Sequence, residues 1–166
     1  MSRSSQIVAL YPGSFDPITR GHEDIVRRGL RVAERIIVAV AHTSTHHKKG
    51  LFSVEERVAL IREVFADDDR VEATPFEGLL VDFAREREAH LVIRGLRAIS
   101  DFEYELQMAQ MNRELSSNVE TIFLVPDVKN SFLSSSLVRE VASLGGDVAS
   151  FVAPSVLAAL QEKQRA

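Results

Sequence analysis

Short apolar runs, each rich in Ile or Val and bounded by turn residues, recur at Ile7–Leu10, Ile36–Ala41, Val71–Thr74, Leu91–Ile93 and Thr121–Val125. Their length and β-branched content predict five strands. Between them the apolar positions follow helical rather than alternating spacing, over Gly21–Glu34, Ser53–Ala66, Leu79–Glu88 and Asp101–Leu115. Ser53 followed by Glu56 forms a capping box, in which hydroxyl and carboxylate each satisfy a helix-end amide, and this fixes one helix start. A further helix is expected over Ser135–Leu144, stopped by Gly145 and Gly146, and a last one from Pro154 to about Gln164 with Pro in its first turn.

The order is therefore β and α in alternation. Strands that are apolar throughout are expected where helices cover both sheet faces, which predicts an α/β, doubly wound, five-stranded parallel sheet of Rossmann-like type with right-handed crossovers. In such sheets ligands bind beyond the carboxyl ends of the strands. The segments so placed are Tyr11–His22, Ala41–Lys49, Pro75–Leu80, Arg94–Asp101 and Pro126–Ser136.

At 166 residues the chain has the length of a single domain, 1–166, with no linker or low-complexity stretch. Cysteine is absent, which removes disulfides, thiolate metal sites and cysteine nucleophiles. Lys plus Arg total 20 against 24 for Asp plus Glu, so the overall basic excess of a general nucleic-acid binder is missing and any anion site must be local. Only four apolar residues follow the polar segment Met1–Gln6, too few for a signal segment, and no run approaches the roughly 20 residues of a membrane helix. A cytoplasmic location is the expectation.

The first β–α junction, Tyr11-Pro12-Gly13-Ser14-Phe15-Asp16-Pro17-Ile18-Thr19-Arg20-Gly21-His22, fits neither the dinucleotide fingerprint nor the P-loop. It does supply Gly13 for close backbone approach, the Ser14 hydroxyl, and Thr-x-Gly-His where a helix begins and an anion is favoured. A His in a first helical turn also serves as a cap. Arg94 and Arg97 flank Gly95 beyond a buried strand and present two permanent cations, unless surface carboxylates pair with them. Ser134, Ser135 and Ser136 lead into a helix, where their hydroxyls and amides either hold phosphates or form an ordinary connector. Glu105, Met108 and Asn112 recur at helical spacing with Met111 adjacent, a pattern that also suits packing.

With Phe52-Ser53-Val54-Glu55-Glu56-Arg57, Arg94-Gly95-Leu96-Arg97, Asp101-Phe102-Glu103-Tyr104-Glu105, Met111-Asn112-Arg113 and Ser131-Phe132-Leu133-Ser134-Ser135-Ser136, the chain resembles the phosphopantetheine adenylyltransferases of the nucleotidylyltransferase superfamily. The resemblance spans roughly residues 7 to 152. Thr-x-Gly-His indicates nucleotidyl transfer in general, whereas Arg-Gly-Leu-Arg followed by Asp-Phe-Glu-Tyr-Glu is particular to the pantetheine enzymes.

That resemblance implies transfer of adenylyl from ATP to 4′-phosphopantetheine, giving dephospho-coenzyme A and pyrophosphate. It places Ser14, Phe15, His22, Gly95, Leu96, Arg97, Glu105, Asn130, Ser131, Phe132, Leu133 and Ser134 to Ser136 at ATP, and Ser14, Lys48, Leu80, Arg94, Met108, Met111 and Asn112 at the acceptor. His22, Lys48, Arg97 and Ser14 are the implied catalytic group. Lys48 aligns better than Lys49, in a loop longer than usual that also carries His46 and His47, read as loop residues rather than metal ligands. Asn130 stands where relatives often carry an aromatic residue. Mg²⁺ is expected on phosphate oxygens with no protein carboxylate assigned to it, Asp16 being the nearest candidate. A homohexamer and binding of coenzyme A as a feedback inhibitor are also implied. The alternatives are a nucleotidylyltransferase acting on nicotinamide mononucleotide or glycerol phosphate, a noncatalytic adenine-nucleotide sensor, and a purely structural domain.

Overall fold

The computed structural model describes residues 6–42, 50–97 and 99–165. Its strands are β1 (Val8–Gly13), β2 (Arg35–Ala41), β3 (Val71–Phe76), β4 (Leu91–Gly95) and β5 (Glu120–Leu124), all parallel, in the order β3-β2-β1-β4-β5. The helices are α1 (Arg20–Gly29), α2 (Val54–Val64), α3 (Leu80–Glu86), α4 (Ile99–Leu115), α5 (Ser135–Ser143) and α6 (Pro154–Arg165). This is the expected doubly wound sheet.

Successive strand residues point to opposite sheet faces, and each face has its own core. Ala9, Tyr11, Ile36, Val38, Val40 and Ile93 pack with Ile25 and Val26 of α1, Val58 and Ile61 of α2, Val138 of α5 and Val156 of α6. Their neighbours Leu10, Ile37, Ala39 and Val92 pack with Val81, Phe83 and Ala84 of α3 on the other face. Each such Val, Leu or Ile stabilises the fold by about 1.5–3 kcal/mol relative to an exposed position. Two-sided burial explains why the central strands β1, β2 and β4 do not alternate in polarity, whereas the edge strands β3 and β5 are only partly buried.

The element ends differ from the expected ones by a few residues. β1 runs on through Tyr11, Pro12 and Gly13, because as the central strand it pairs with β2 along its whole length and with β4 on the other side. α1 stops at Gly29, and the chain continues to Ala33 in tighter turns, with Arg31 N–H donating to Arg28 O and Val32 N–H to Gly29 O, both at 3.0 Å. At α2 the capping box is present, Ser53 Oγ accepting Glu56 N–H at 3.1 Å and Glu56 Oε2 accepting Ser53 N–H at 2.7 Å. α5 ends in a Schellman motif: Gly145 adopts φ +79°, its N–H donates to Ala142 O, and Gly146 N–H donates to Val141 O, both at 2.9 Å.

Candidate active site

The strand order turns at β1 and β4: the chain leaves β1 toward β2 and β3, and leaves β4 in the opposite direction toward β5. A cleft opens beyond the carboxyl ends of these two strands, at the switch point where α/β sheets bind ligands. It has two adjoining halves. A polar half of about 240 Å³ is lined by Ser14, His22, Arg94, Arg97, Asp101, Glu105 and Asn130 together with Tyr11, Phe15, Gly95 and Leu133. An apolar half of about 380 Å³ is lined by Leu79, Leu80, Tyr104, Met108, Met111 and Asn112 among others. Pro12, Gly13, Ser14, Arg94 and Glu105 belong to both walls.

The loop after β1 is built around Phe15. Its ring is buried and meets Tyr11 edge-on at 5.3 Å and His22 at 5.0 Å between centroids, while its backbone takes φ +47°. A Cβ on residue 13 would lie 3.0 Å from that ring, so the close approach of strand to ring requires Gly13. His22 is the third residue of α1, and its Nδ1 accepts the Thr19 backbone N–H at 3.0 Å. The ring proton therefore belongs on Nε2, and the neutral ring offers a hydrogen-bond donor. Burial, with Arg97 and Arg94 adding repulsion, lowers the His22 pKa from 6.5 to about 3. His22 is at once the cap that its position suggests and a wall of the polar half.

Arg94 is held at the seam of the cleft. Its Nε and Nη2 donate to Glu105 Oε2 and Oε1 at 2.8 and 2.5 Å, and its Nη1 donates to Pro12 O at 2.6 Å. Arg97 reaches across to Leu133 O, 2.7 Å away, with Asp101 at 3.8 Å. Two cations and two carboxylates thus ring one small space.

Of the residues singled out in the sequence, Ser14, Phe15, His22, Arg94, Gly95, Arg97, Glu105, Asn130 and Leu133 come together in the polar half. Leu80, Met108, Met111 and Asn112 come together in the apolar half. Leu96 and the rest of the serine segment do not line either half. Leu96 N–H donates to Leu124 O, continuing the β4–β5 ladder. Ser131 Oγ donates to Val128 O, Ser134 Oγ accepts Leu137 N–H as the cap of α5, Ser135 Oγ donates to Pro17 O, and Ser136 Oγ accepts from Arg139. Phe132 is exposed and meets Phe151 edge-on. Lys48 and Lys49, with His46 and His47, lie outside the described residues.

Asp16, the carboxylate nearest to a magnesium role, faces the interior. Its two oxygens each accept a backbone N–H, from Leu51 and Phe52 at 2.9 Å, and Arg139 lies 3.5 Å away. Among the described residues, no group of three or more His, Asp or Glu side chains is placed to hold a metal ion.

Tyr11 and Arg57 are the residues that the motifs left without a role. Tyr11 lines the polar half under His22, and burial raises its phenol pKa. Arg57 is 2% exposed and donates to three backbone carbonyls, those of Ser14, Ala41 and Ser53. Its signal in the sequence is position: Val54, Arg57, Val58 and Ile61 form one helical stripe, and a cation on an apolar stripe calls for acceptors inside.

A parallel sheet with a polar pocket at its switch point, walled by residues of Thr-x-Gly-His, is the arrangement of a nucleotidylyltransferase, and the cytidylyltransferase-like family profile matches residues 10–141. A Vibrio parahaemolyticus structure described as a nicotinate-nucleotide adenylyltransferase superposes with a TM-score of 0.70 over 97% of each chain at 14% identity, a likeness of fold. Phosphopantetheine adenylyltransferase of Geotalea daltonii is 54% identical over 94% of this chain and 96% of its own, and that of Thiobacillus denitrificans 54% over 96% and 98%. The chain belongs to the phosphopantetheine adenylyltransferase family.

Proposed function

We propose that this chain transfers the adenylyl group of ATP to the phosphate of 4′-phosphopantetheine, releasing pyrophosphate and dephospho-coenzyme A. The observation that carries this reading is the two-part cleft. A polar half suited to phosphates meets an apolar half suited to an uncharged arm, and Ser14 and Arg94 stand at the junction where acceptor phosphate and α-phosphorus would meet.

The acceptor phosphate is already an anionic nucleophile, so the residues have to position and neutralise rather than remove a proton. His22, neutral with its donor on Nε2, is suited to bond a non-bridging oxygen as charge grows there, and not to act as an acid or base near neutral pH. Arg97 supplies permanent charge on the same side, and Ser14 offers a hydroxyl at the junction. Lys48 is assigned to the transition state by resemblance alone. Asn130, buried in the wall, contributes an amide where an aromatic residue would stack. The amide ends of the Ser131–Ser136 segment complete the ATP side in this reading.

Magnesium would supply positive charge to the triphosphate as its counter-ion, and no protein carboxylate is assigned to hold it. In this reading the nearest carboxylates have other partners, Asp16 accepting from Leu51 and Phe52 and lying beside Arg139, and Glu105 accepting from Arg94. A cytoplasmic homohexamer, and coenzyme A binding in the same cleft, belong to this reading. Exposed Phe102 on one side of α4 and exposed Tyr104, Met111 and Leu115 on the opposite side, around the mouth of the apolar half, support burial of that helix by another subunit. No described helix is long and apolar enough to cross a membrane.

The test is pyrophosphate release from ATP and Mg²⁺ with 4′-phosphopantetheine, pantetheine, nicotinamide mononucleotide or glycerol phosphate. Release with 4′-phosphopantetheine alone is expected. Release only with another acceptor would move the chain's activity elsewhere in the superfamily, and ATP binding without release would make it a sensor.

A further inference from the structure

Arg57 reaches from α2 to the loop that follows β1, with 2% of its surface exposed. Its Nη1 donates to Ser14 O at 2.7 Å and to Ala41 O at 3.4 Å, and its Nε donates to Ser53 O at 3.3 Å. Among the described residues no carboxylate lies within 4 Å of its nitrogens. A buried cation is costly, and an apolar side chain of similar volume would fill the same space without that cost. What the guanidinium adds is a fixed donor for backbone carbonyls, and its shortest contact is to the loop that carries Ser14.

We propose that Arg57 is a positioning residue that turns the Ser14–Phe15 peptide so that the Phe15 N–H faces the polar half of the cleft, ready for a phosphate oxygen. The proposal rests on the adenylyl-transfer reading above. In a trans peptide the carbonyl and the following N–H point in opposite directions. With Ser14 O drawn inward to Arg57, the Phe15 N–H is directed outward, and Phe15 lines the polar half. That N–H has no acceptor among the described residues. The φ of +47° at Phe15 is one that a residue with a side chain adopts at a cost of about 1–2 kcal/mol. Two anchors hold it there: the buried ring, wedged between Tyr11 and His22, and the carbonyl bound to Arg57. The same guanidinium ties Ala41 at the end of β2 and the N-cap of α2, so the loop is referenced to two rigid elements.

The test compares wild type with Arg57→Met and Arg57→Lys in the full chain, after far-UV circular dichroism and a thermal melt confirm folding at the assay temperature. Arg57→Met is expected to lower kcat/KM for ATP by about 10- to 100-fold, the scale of a misplaced donor, while KM for 4′-phosphopantetheine moves less than about threefold. Arg57→Lys, which reaches one carbonyl rather than three, should fall between. In wild type, deuterium exchange at the Phe15 amide should slow at least about tenfold when ATP binds. Folded Arg57→Met within about twofold of wild type, or equal losses for both substrates, would overturn the proposal. An unprotected Phe15 amide would overturn it without any variant, so misfolding of Arg57→Met does not shelter it. If wild type releases no pyrophosphate with any acceptor, the adenylyl-transfer reading fails separately. ATP affinity by calorimetry then decides on Arg57, an unchanged dissociation constant in Arg57→Met counting against it.

Discussion

Glu105 holds Arg94 by two parallel hydrogen bonds, 2.8 and 2.5 Å, where the polar and apolar halves of the cleft meet. A carboxylate in this fork-to-fork geometry occupies the guanidinium face that a phosphate monoester would otherwise take. The third donor of Arg94 is fixed to Pro12 O in β1, a bond that would hold the head group in place if a phosphate replaced the carboxylate, as the proposed function requires.

Arg94→Ala should therefore act on the acceptor. KM for 4′-phosphopantetheine is expected to rise about 10- to 100-fold with KM for ATP much less affected, and Arg94→Lys should recover only part because an ammonium lacks the fork. Steady-state kinetics with each substrate varied in turn check this. Equal rises in both constants would reject the assignment.

His22→Ala should lower turnover by about 10²- to 10³-fold, the range for loss of one preorganised donor. A normal circular dichroism spectrum with near-normal turnover would remove His22 from the reaction.

The lowered pKa of His22 carries a separate expectation for stability. The unfolded chain takes up a proton near pH 6.5, whereas the folded ring resists it until about pH 3, so stability is full above 6.5 and is lost as pH falls toward 3. His22→Gln should flatten that part of the curve of denaturation midpoint against pH. Nor should the activity profile show a limb near 6.5 that disappears in this variant.

Asp16→Asn keeps the shape but weakens the acceptor for Leu51 and Phe52 N–H and the pairing with Arg139. A loss of about 2 kcal/mol, on the order of 4–8 °C in Tm, is expected with the magnesium dependence of turnover unchanged. A shifted magnesium requirement would return Asp16 to the metal.

Gly145→Ala places a side chain at φ +79° in the Schellman turn of α5. With open space around the new Cβ, the cost is conformational, about 1 kcal/mol or 2–4 °C in Tm, with activity unaffected.

Local signals in the sequence were reliable where the physics is local. The Ser53–Glu56 box, the Gly145–Gly146 stop and the five Ile- or Val-rich runs each act within one turn or strand, and each stands where expected. Leu80 and Met108, a core residue or a packing stripe by spacing alone, line one wall because the crossover from β3 to β4 sets α3 beside α4. What the chain did not disclose are bonds between different elements. Asp16 to Phe52, Arg57 to Ser14 and Arg94 to Glu105 depend on which carbonyl, amide or carboxylate arrives opposite, and no periodicity encodes that. The serine hydroxyls carry the same lesson in reverse: nearby carbonyls and amides claim Ser131, Ser134 and Ser135 within the chain itself.

The two walls of the cleft come from opposite faces of the sheet. α1, the loops after β4 and β5 and Asp101 of α4 furnish the polar half, while α3 and the rest of α4 line the apolar one, and both walls include the Pro12–Ser14 segment and the Arg94–Glu105 pair. The α3 part of the apolar wall is thus separate in the chain from the residues of the polar half. Substitutions along α3 change the apolar wall alone, whereas α4 serves both walls through Asp101 and Glu105, so in this architecture the acceptor side is free to vary at α3 and is tied to the nucleotide side at α4.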